Sequence, residues 1–416
     1  MTPKPTYRAL LGIRGVPALY ALSSATVLTS SLQILALSIA VYRATGSALW
    51  SSCAFAAGFL PQLAGGVLLN SLADRWAARL LLAAGVLLRA TAGMLLAFGG
   101  LPPAAAIAVA AVTALLLPVP SAAQSALVSR LLDGELYVLG RSVFTLISSG
   151  GQLLGLAVGG TLVAAVGTSA TFALSGGLQL LGLVAVALLP RTRPVQHADR
   201  WRLGDTWRAN AVLLRDAPVR RILLSWWIPL ALLVGAESLV VPYVGSLGRS
   251  GAATGVLLAA FPVGSTIGDL VVGRLLGPAA RARALPWLLV GVGASLLPLA
   301  MTPGVAVAAG CCAVACGCLS YQLCGQQAFR QALPAAQQGV GFGLAGTGSM
   351  AGQGVGPVVA GALADVLHPG PTMAALGAAV VVYAVGSRRP RGGGGPEDDA
   401  AARGSARTPR GALPMA

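Results

Sequence analysis

Charge is scarce in this 416-residue sequence. Only 10% of its residues are Asp, Glu, Lys or Arg, whereas 56% are hydrophobic and the mean hydropathy is +0.79. A water-soluble chain carries about 25% charged and about 45–50% apolar residues. There is too little charge here to coat a water-facing surface of this size. Disorder over most of the length is excluded as well, because it needs few apolar residues and much charge. Histidine is nearly missing, with only His197 and His368. There is no H-E-x-x-H, no G-x-S-x-G and no G-x-x-x-x-G-K-[ST]. No paired catalytic residues stand out, and a self-contained ATP-driven pump is not expected. The sequence therefore points away from an enzyme and implies no cofactor.

Acidic residues are also few. Twelve stand against 28 basic ones, for a formal charge of +16. A surplus of this size suits a nucleic-acid patch or the loops of a membrane protein. The Arg residues sit between apolar blocks, which favours loop charge and no nucleic-acid partner. Five of the six Cys (Cys311, Cys312, Cys316, Cys318 and Cys324, with Cys53 apart) crowd one apolar segment. An extracellular disulfide framework does not fit that crowding. Without His beside them, helix packing explains these thiols better than a metal site. Gly341-Phe-Gly343-Leu-Ala-Gly346 fits G-x-G-x-x-G but lies in an apolar run with no strand before it, so it is not read as a dinucleotide site.

What the chain has in quantity is long apolar runs. A bilayer core takes about 20 residues per helix. Cut at charges, Pro and Gly, the sequence gives twelve candidate spans: Pro17–Val41, Trp50–Ser71, Arg79–Phe98, Ala104–Gln124, Val138–Val166, Ser169–Leu189, Ile222–Gly245, Ala253–Leu276, Ala284–Met301, Gly304–Cys324, Gly341–Asp365 and Thr372–Gly386. The last is short for a crossing. Ala18–Val41 is too long for the core of a cleaved signal peptide. With the N-terminus in the cytoplasm, 25 Lys and Arg fall on that side and two, Arg43 and Arg249, outside. Without the central loop and the tail the ratio is still 11 to two. This asymmetry orients a plasma-membrane protein with both termini cytoplasmic. The expected organisation is a cytoplasmic N-terminus (1–16), a six-helix bundle (17–189), a cytoplasmic loop (190–221), a second six-helix bundle (222–386) and a disordered tail (387–416). Trp201, Trp207 and Leu214 suggest a short surface helix in the loop. Trp226 and Trp227 read as an interfacial belt.

The two bundles look like repeats. Gly151–Leu162 reads GQLLGLAVGGTL and Gly352–Leu363 reads GQGVGPVVAGAL, so that Gly155 aligns with Gly356, Gly160 with Gly361 and Leu162 with Leu363 at an offset of 201. These are spans 5 and 11, which correspond if six helices repeat. Repeats with a site near the midplane between them are a transporter architecture.

The loop after span 2, Asn70 to Arg79, resembles the G-x-L-x-D-R-x-G-R-R signature of the major facilitator superfamily: Asp74, Arg75 and Arg79 match, while Asn70, Ala77 and Ala78 depart from it. The resemblance implies that Asp74, Arg75 and Arg79 form a gate, the Asp at a helix N-terminus pairing with Arg across the halves. Topogenic charge is the plainer account. The second-half copy keeps Gly273, Arg274 and Arg281 but has Gly277 where the Asp belongs. Gly151, Gly155, Gly159 and Gly160 resemble the antiporter motif of drug exporters, with Leu156 for its Pro; the Pro stands instead at Pro357, after Gly356. With Gly352 and Gly361 these form a helix-interface set, suited to rocking or to static packing alike. Gly235–Val244, Leu247–Gly251 and Gly255–Ala260, with Gln124–Leu132, resemble the enterobactin-exporter-like, macrolide-efflux branch. That branch implies export of amphipathic natural products. The span 4 Arg of proton-coupled drug exporters has no match.

Ionisable residues within spans are costly in lipid and face protein or water. Three stand out as proton-coupling candidates: Arg89 in span 3, Glu237 in span 7 and Asp269 late in span 8, with Asp365 at the outer end of span 11. A carboxyl favours its neutral form away from water and its charged form in water, the alternation a proton antiporter needs. In this superfamily span 7 lines the central cavity, which favours Glu237. Gln33, Tyr321 and Gln322 are substrate-contact candidates. The reading is an all-α polytopic membrane protein of the major facilitator fold, a monomer that exchanges protons for a small amphipathic molecule by alternating access. An importer or facilitator, or a non-transporting receptor or assembly factor on the same scaffold, are the alternatives.

Overall fold

The computed structural model describes residues 6–69, 76–190, 203–249, 251–334 and 337–387. Among them, eleven helices are long and apolar enough to cross a membrane. They are Val16–Thr45, Ala48–Leu69, Ala78–Phe98, Pro103–Leu131, Leu139–Leu188, Ala217–Ser246, Gly251–Leu275, Ala279–Met301, Val305–Ala332, Val340–Leu367 and Pro369–Gly386. The 50-residue member is two crossings. It breaks at Gly167, whose φ of 81° and ψ of 172° only glycine adopts without strain. Gly155, before the break, meets Leu28 and Ser31 of the first span, and Gln179, after it, bonds Thr26 and Thr29 of the same span. Residues on the two sides of Gly167 thus lie at one depth, as in a hairpin. Segments 139–166 and 168–188 are spans 5 and 6, and the total among the described residues is twelve.

Antiparallel succession sorts the turns into two sets. The linker end carries the turns at 69–78, 131–139, 188–217, 275–279 and 332–340. The far end carries those at 45–48, 98–103, 167, 246–251, 301–305 and 367–369, and with them Arg43, Arg249 and Asp365. Local chemistry fixes the ends. Span 1 opens with Gly15 at φ 96° and Pro17 in its first turn, and closes on Gly46 at φ 66°, whose N–H bonds the Tyr42 carbonyl. Span 2 opens on Ser47, whose hydroxyl accepts from the Trp50 N–H.

Several boundaries differ from the sequence expectation: spans 4 and 10, expected to end at Gln124 and Cys324, run on to Leu131 and Ala332. Span 12 runs Pro369–Gly386, 18 residues, because Pro369 starts a helix as readily as it stops one. Span 7 begins at Ala217 with Pro218 in its first turn, so Arg220 and Arg221 belong to the helix and not to the loop. Helix Leu203–Arg215 precedes it, where a surface helix was expected; Trp201 lies outside the described residues, as do the tail from 388 and the segment Asn70–Arg75. Trp226 and Trp227 are not a belt. Trp226 is buried against Phe329, ring centroids 5.0 Å apart, and the Trp227 indole donates to the Ala345 carbonyl at 3.0 Å. Both tie span 7 to its own bundle, since burying an indole calls for an acceptor or a ring.

Several spans are interrupted. Span 4 breaks at Leu117, before Pro118, which has no N–H to give. Its counterpart, span 10, breaks at Leu319–Ser320. Span 7 breaks at Leu239, whose N–H bonds the carbonyls of Ala236 and Glu237. Span 8 ends in a π turn, Val271–Leu275.

Candidate functional site

The repeat seen in the sequence becomes a repeat of contacts. A Cβ on Gly151 would meet Val27, and one on Gly155 would meet Ser31 and Leu28, all in span 1. The counterparts Gly352 and Gly356 meet Ala231, in span 7. Gly159 meets Leu32 and Leu35. The third aligned pair does something else. Gly160 abuts Gly251 and Gly255 of span 8, while Gly361 abuts Leu49 and Ser52 of span 2. Two of the three aligned pairs pack within a bundle, and the third faces the other bundle. Glycine allows backbone to approach backbone there, since any Cβ at Gly160 would overlap Gly255 Cα. Pro357 is buried beside Gly356.

The seam between the bundles is tied toward the far end. Gly245 of span 7 lies against the Tyr42 ring of span 1. The Ser238 hydroxyl lies 3.2 Å from that of Ser52 and donates to the Gly235 carbonyl at 2.7 Å. Asp365, at the end of span 11, caps span 2. Its carboxylate accepts from the Ser47 hydroxyl at 2.9 Å and from the backbone N–H groups of Ala48 at 2.8 Å and Leu49 at 3.3 Å. A carboxylate on unpaired N–H groups at a helix start is favoured by hydrogen bonding and by the helix dipole. Here the cap comes from the other bundle. Nothing in the sequence beyond the position of Asp365 signals it.

Glu237 sits where span 7 breaks, one residue before the Ser238–Ser52 contact. It is partly buried and makes no hydrogen bond or ion pair among the described residues. Its electrostatic neighbours are Cys312 and Cys316 of span 10. Asp269 is exposed in the last α turn of span 8 and also makes no ion pair among the described residues.

Arg89 occupies the middle of span 3. It donates to the Ser30 hydroxyl of span 1 at 3.0 Å. It lines a cavity of about 90 Å³ with Ser30, Gln33, Gln62 and Thr113, among spans 1 to 4. Gln33 is on that wall, its amide donating to Ser175 of span 6 at 3.2 Å. Around it, Thr29 and Gln179 are joined at 2.8 Å, and Gln124 donates to Ser23 at 2.5 Å. The core of the first bundle is therefore a polar network along span 1.

The other expected site residues are more dispersed. Tyr321 is buried and its hydroxyl donates to the Ser225 carbonyl, so it braces span 10 on span 7 while one edge lines a cavity of about 820 Å³ at the linker end of the second bundle. Among the described residues the buried Gln322 amide nitrogen has no hydrogen-bond partner. Asp74 and Arg75 lie outside the described residues; Arg79 is half-buried in the first turn of span 3. In the second-half copy of that loop, Arg281 donates to the carbonyls of Val272 (3.0 Å) and Gly273, at the end of span 8. A guanidinium there satisfies carbonyls that the helix end leaves open.

Comparison with known proteins follows the same architecture. A family model described as the Major Facilitator Superfamily matches residues 19–324. No curated protein matches the chain. Among solved structures, a POT family transporter in complex with 5-aminolevulinic acid is similar with a TM-score of 0.73 at 12% identity, over 92% of this chain and 96% of the other. A peptide transporter POT in complex with sulfate gives 0.69 at 15%, over 92% and 95%. The nucleoside transporter NupG gives 0.70 at 13%, over 90% and 98%. At these identities the likeness is one of fold.

Proposed function

This chain belongs to the Major Facilitator Superfamily, and from that premise we propose that it is a secondary active transporter working by alternating access, driven by protons through Glu237. The observation that carries the reading is the seam. Five ties between the bundles (Tyr42 with Gly245, Ser52 with Ser238, Leu49 and Ser52 with Gly361, Gly160 with Gly255, Ser47 with Asp365) lie toward the far end, and a sixth, Leu60 against Gly354, lies at mid-span. Loosening the far end while the linker end closes is the rocking that such repeats perform. We assign the far end to the outside, because it carries Arg43 and Arg249 while the other basic loop residues cluster at the linker end. The conformation is then closed outward, and the termini are cytoplasmic in the plasma membrane.

Glu237 is placed for coupling. It adjoins the seam contact of Ser238 and lies in the last turn of the helix before the break at Leu239. Water reaching it from one side and then the other would unload and load a proton. Asp74, Arg75 and Arg79 are assigned to the linker-end gate, with Asp269 and Arg281 on the opposite turn. For cargo and direction, the motif resemblance supports export of a small amphipathic molecule, and the cavity of about 820 Å³ lined by Trp226, Tyr321 and Tyr383 is large enough for one.

The test is flux in proteoliposomes of the purified chain with a panel of labelled amphipathic compounds. Uphill movement that follows an imposed pH gradient is expected. Downhill flux indifferent to the gradient would make the protein a facilitator, accumulation driven in the opposite sense an importer, and no flux at all a receptor on this scaffold.

A further inference from the structure

Among the described residues, the first bundle contains an embedded cation with no partner of opposite sign. From residue 1 to residue 198 the only acidic residues are Asp74, Asp133 and Glu135, each in the sequence between spans. Arg89 is about 16 Å along its helix from the linker-end start of span 3 at Ala78. A loop carboxylate does not reach that far. Among the described residues Arg89 makes one hydrogen bond, to Ser30, and no ion pair. Arginine stays protonated in proteins and offers five N–H donors, so four are left for other acceptors. An uncompensated charge inside a bundle is costly.

The surroundings are built for an anion. The cavity of about 90 Å³ beside the guanidinium holds three or so water volumes at about 30 Å³ each. Its polar wall is Ser30, Gln33, Gln62 and Thr113. Thr113 spends its hydroxyl on the Val109 carbonyl at 2.8 Å. The Gln33 amide gives one N–H to Ser175 and the Gln62 amide one to the Gly58 carbonyl, which leaves each a second N–H, and no carboxylate lines the cavity. Span 2 separates this cavity from the seam: Leu49 and Ser52 face Gly361, whereas Ala54, Gly58 and Gln62 face the cavity. The centre is thus distinct from that of Glu237. A lipid headgroup is excluded by depth, since Arg89 lies mid-helix.

We propose that the cavity beside Arg89 binds a small oxyanion, a carboxylate or phosphate group, held by the guanidinium fork and the side chains of Ser30, Gln33 and Gln62. A fork of parallel N–H donors matches the two oxygens of such a group and discriminates against a spherical ion. The group is either a free anion or one end of the transported molecule; the site itself stands whether or not the transport reading holds.

The experiment uses the full chain, purified in detergent. Thermal unfolding is followed while sodium acetate or sodium phosphate is titrated against sodium chloride of equal ionic strength. A saturable rise of about 3 °C or more with the oxyanion over chloride is expected. Arg89→Gln should abolish it, and Arg89→Lys, which keeps the charge and loses the fork, should weaken it. Should Arg89→Gln fail to fold, Gln62→Leu serves in its place with a reduced shift. No saturable shift in the wild-type protein overturns the proposal, and so does an equal response to chloride. Uptake of radiolabelled acetate or phosphate by proteoliposomes, lost in Arg89→Lys, marks the group as cargo. Binding without uptake marks it as a resident ion. Both outcomes support the site.

Discussion

The two bundles share a backbone plan and differ in what they bury. The first keeps a cation, Arg89, within a network of Gln, Ser and Thr along span 1, and its spans contain no acid. The second keeps a carboxylate, Glu237, beside a run of thiols, with Asp269 exposed at the end of span 8, and its basic residues lie in the terminal turns. The glycines that set helix spacing recur at the same offset in both. Backbone approach is a constraint that a duplicated bundle cannot relax, because any side chain at Gly160 or Gly361 would push the bundles apart. Embedded charge is free to diverge, since each bundle needs only that its own polar groups be answered. The division of labour proposed above assigns the proton to the second bundle and the oxyanion to the first.

That division is open to attack at three strengths. The strongest blow is Glu237→Gln. It keeps size and hydrogen-bonding capacity, and we expect complete loss of pH-gradient-driven uphill transport with substrate exchange preserved, read in proteoliposomes. If the variant still concentrates substrate, coupling resides elsewhere, with Asp269 next.

A lesser effect separates the shared plan from the divergent one. Gly160→Leu and Gly361→Leu occupy corresponding seam positions and should impair transport alike, each by roughly tenfold, given about 1–3 kcal/mol for overpacking a tight contact. Detergent-solubilised folding, judged by size-exclusion profile, should hold, because the clash lies between bundles. Unequal losses of more than tenfold between the two would end the symmetry argument.

The smallest effect probes a point where the symmetry is already incomplete. The counterpart of Asp365 at the offset of 201 is Ala164, which packs near Gly251 at the start of span 8. One side of the far end is thus clasped by a carboxylate and the other only touches. Asp365→Ala should cost about 1 kcal/mol, the worth of a helix cap. In a background with native Cys replaced, Ser52→Cys should then react about fivefold faster with an impermeant thiol reagent applied outside intact cells. An unchanged rate would remove Asp365 from the closure.

Much of this fold is legible in the sequence, and the reasons are physical. Span limits follow from hydropathy, because lipid tolerates little charge over about 20 residues. Gly160 and Gly361 announce themselves by alignment. Helix breaks are legible where Pro118 stands and at Leu239, where Pro242 has no N–H to give the Ser238 carbonyl. Which face a residue turns is the harder matter. Trp226 and Trp227 read as a belt since tryptophan favours interfaces, yet both point inward to Phe329 and Ala345. Tyr321 reads as a cargo contact, and its hydroxyl is committed to Ser225. The isolation of Arg89 needed three dimensions, because only neighbouring helices tell whether a lone arginine is answered.

The clasp at Asp365 has one more consequence. It sits at the surface, where its carboxylate is exposed. In the proposed cycle, parting of the bundles would let water take over both sides of the lost bonds: the carboxylate would be rehydrated and so would the first N–H groups of span 2. The bond network that closes the door is therefore of the kind solvent can replace donor for donor. Such a closure sets a shallow threshold, crossed on thermal energy and re-formed without error in register, because the helix start presents its N–H groups in one direction only. An apolar seal of equal area would have to expose its surface to water each time it opened. A transporter that turns over repeatedly gains more from a polar catch that water can stand in for.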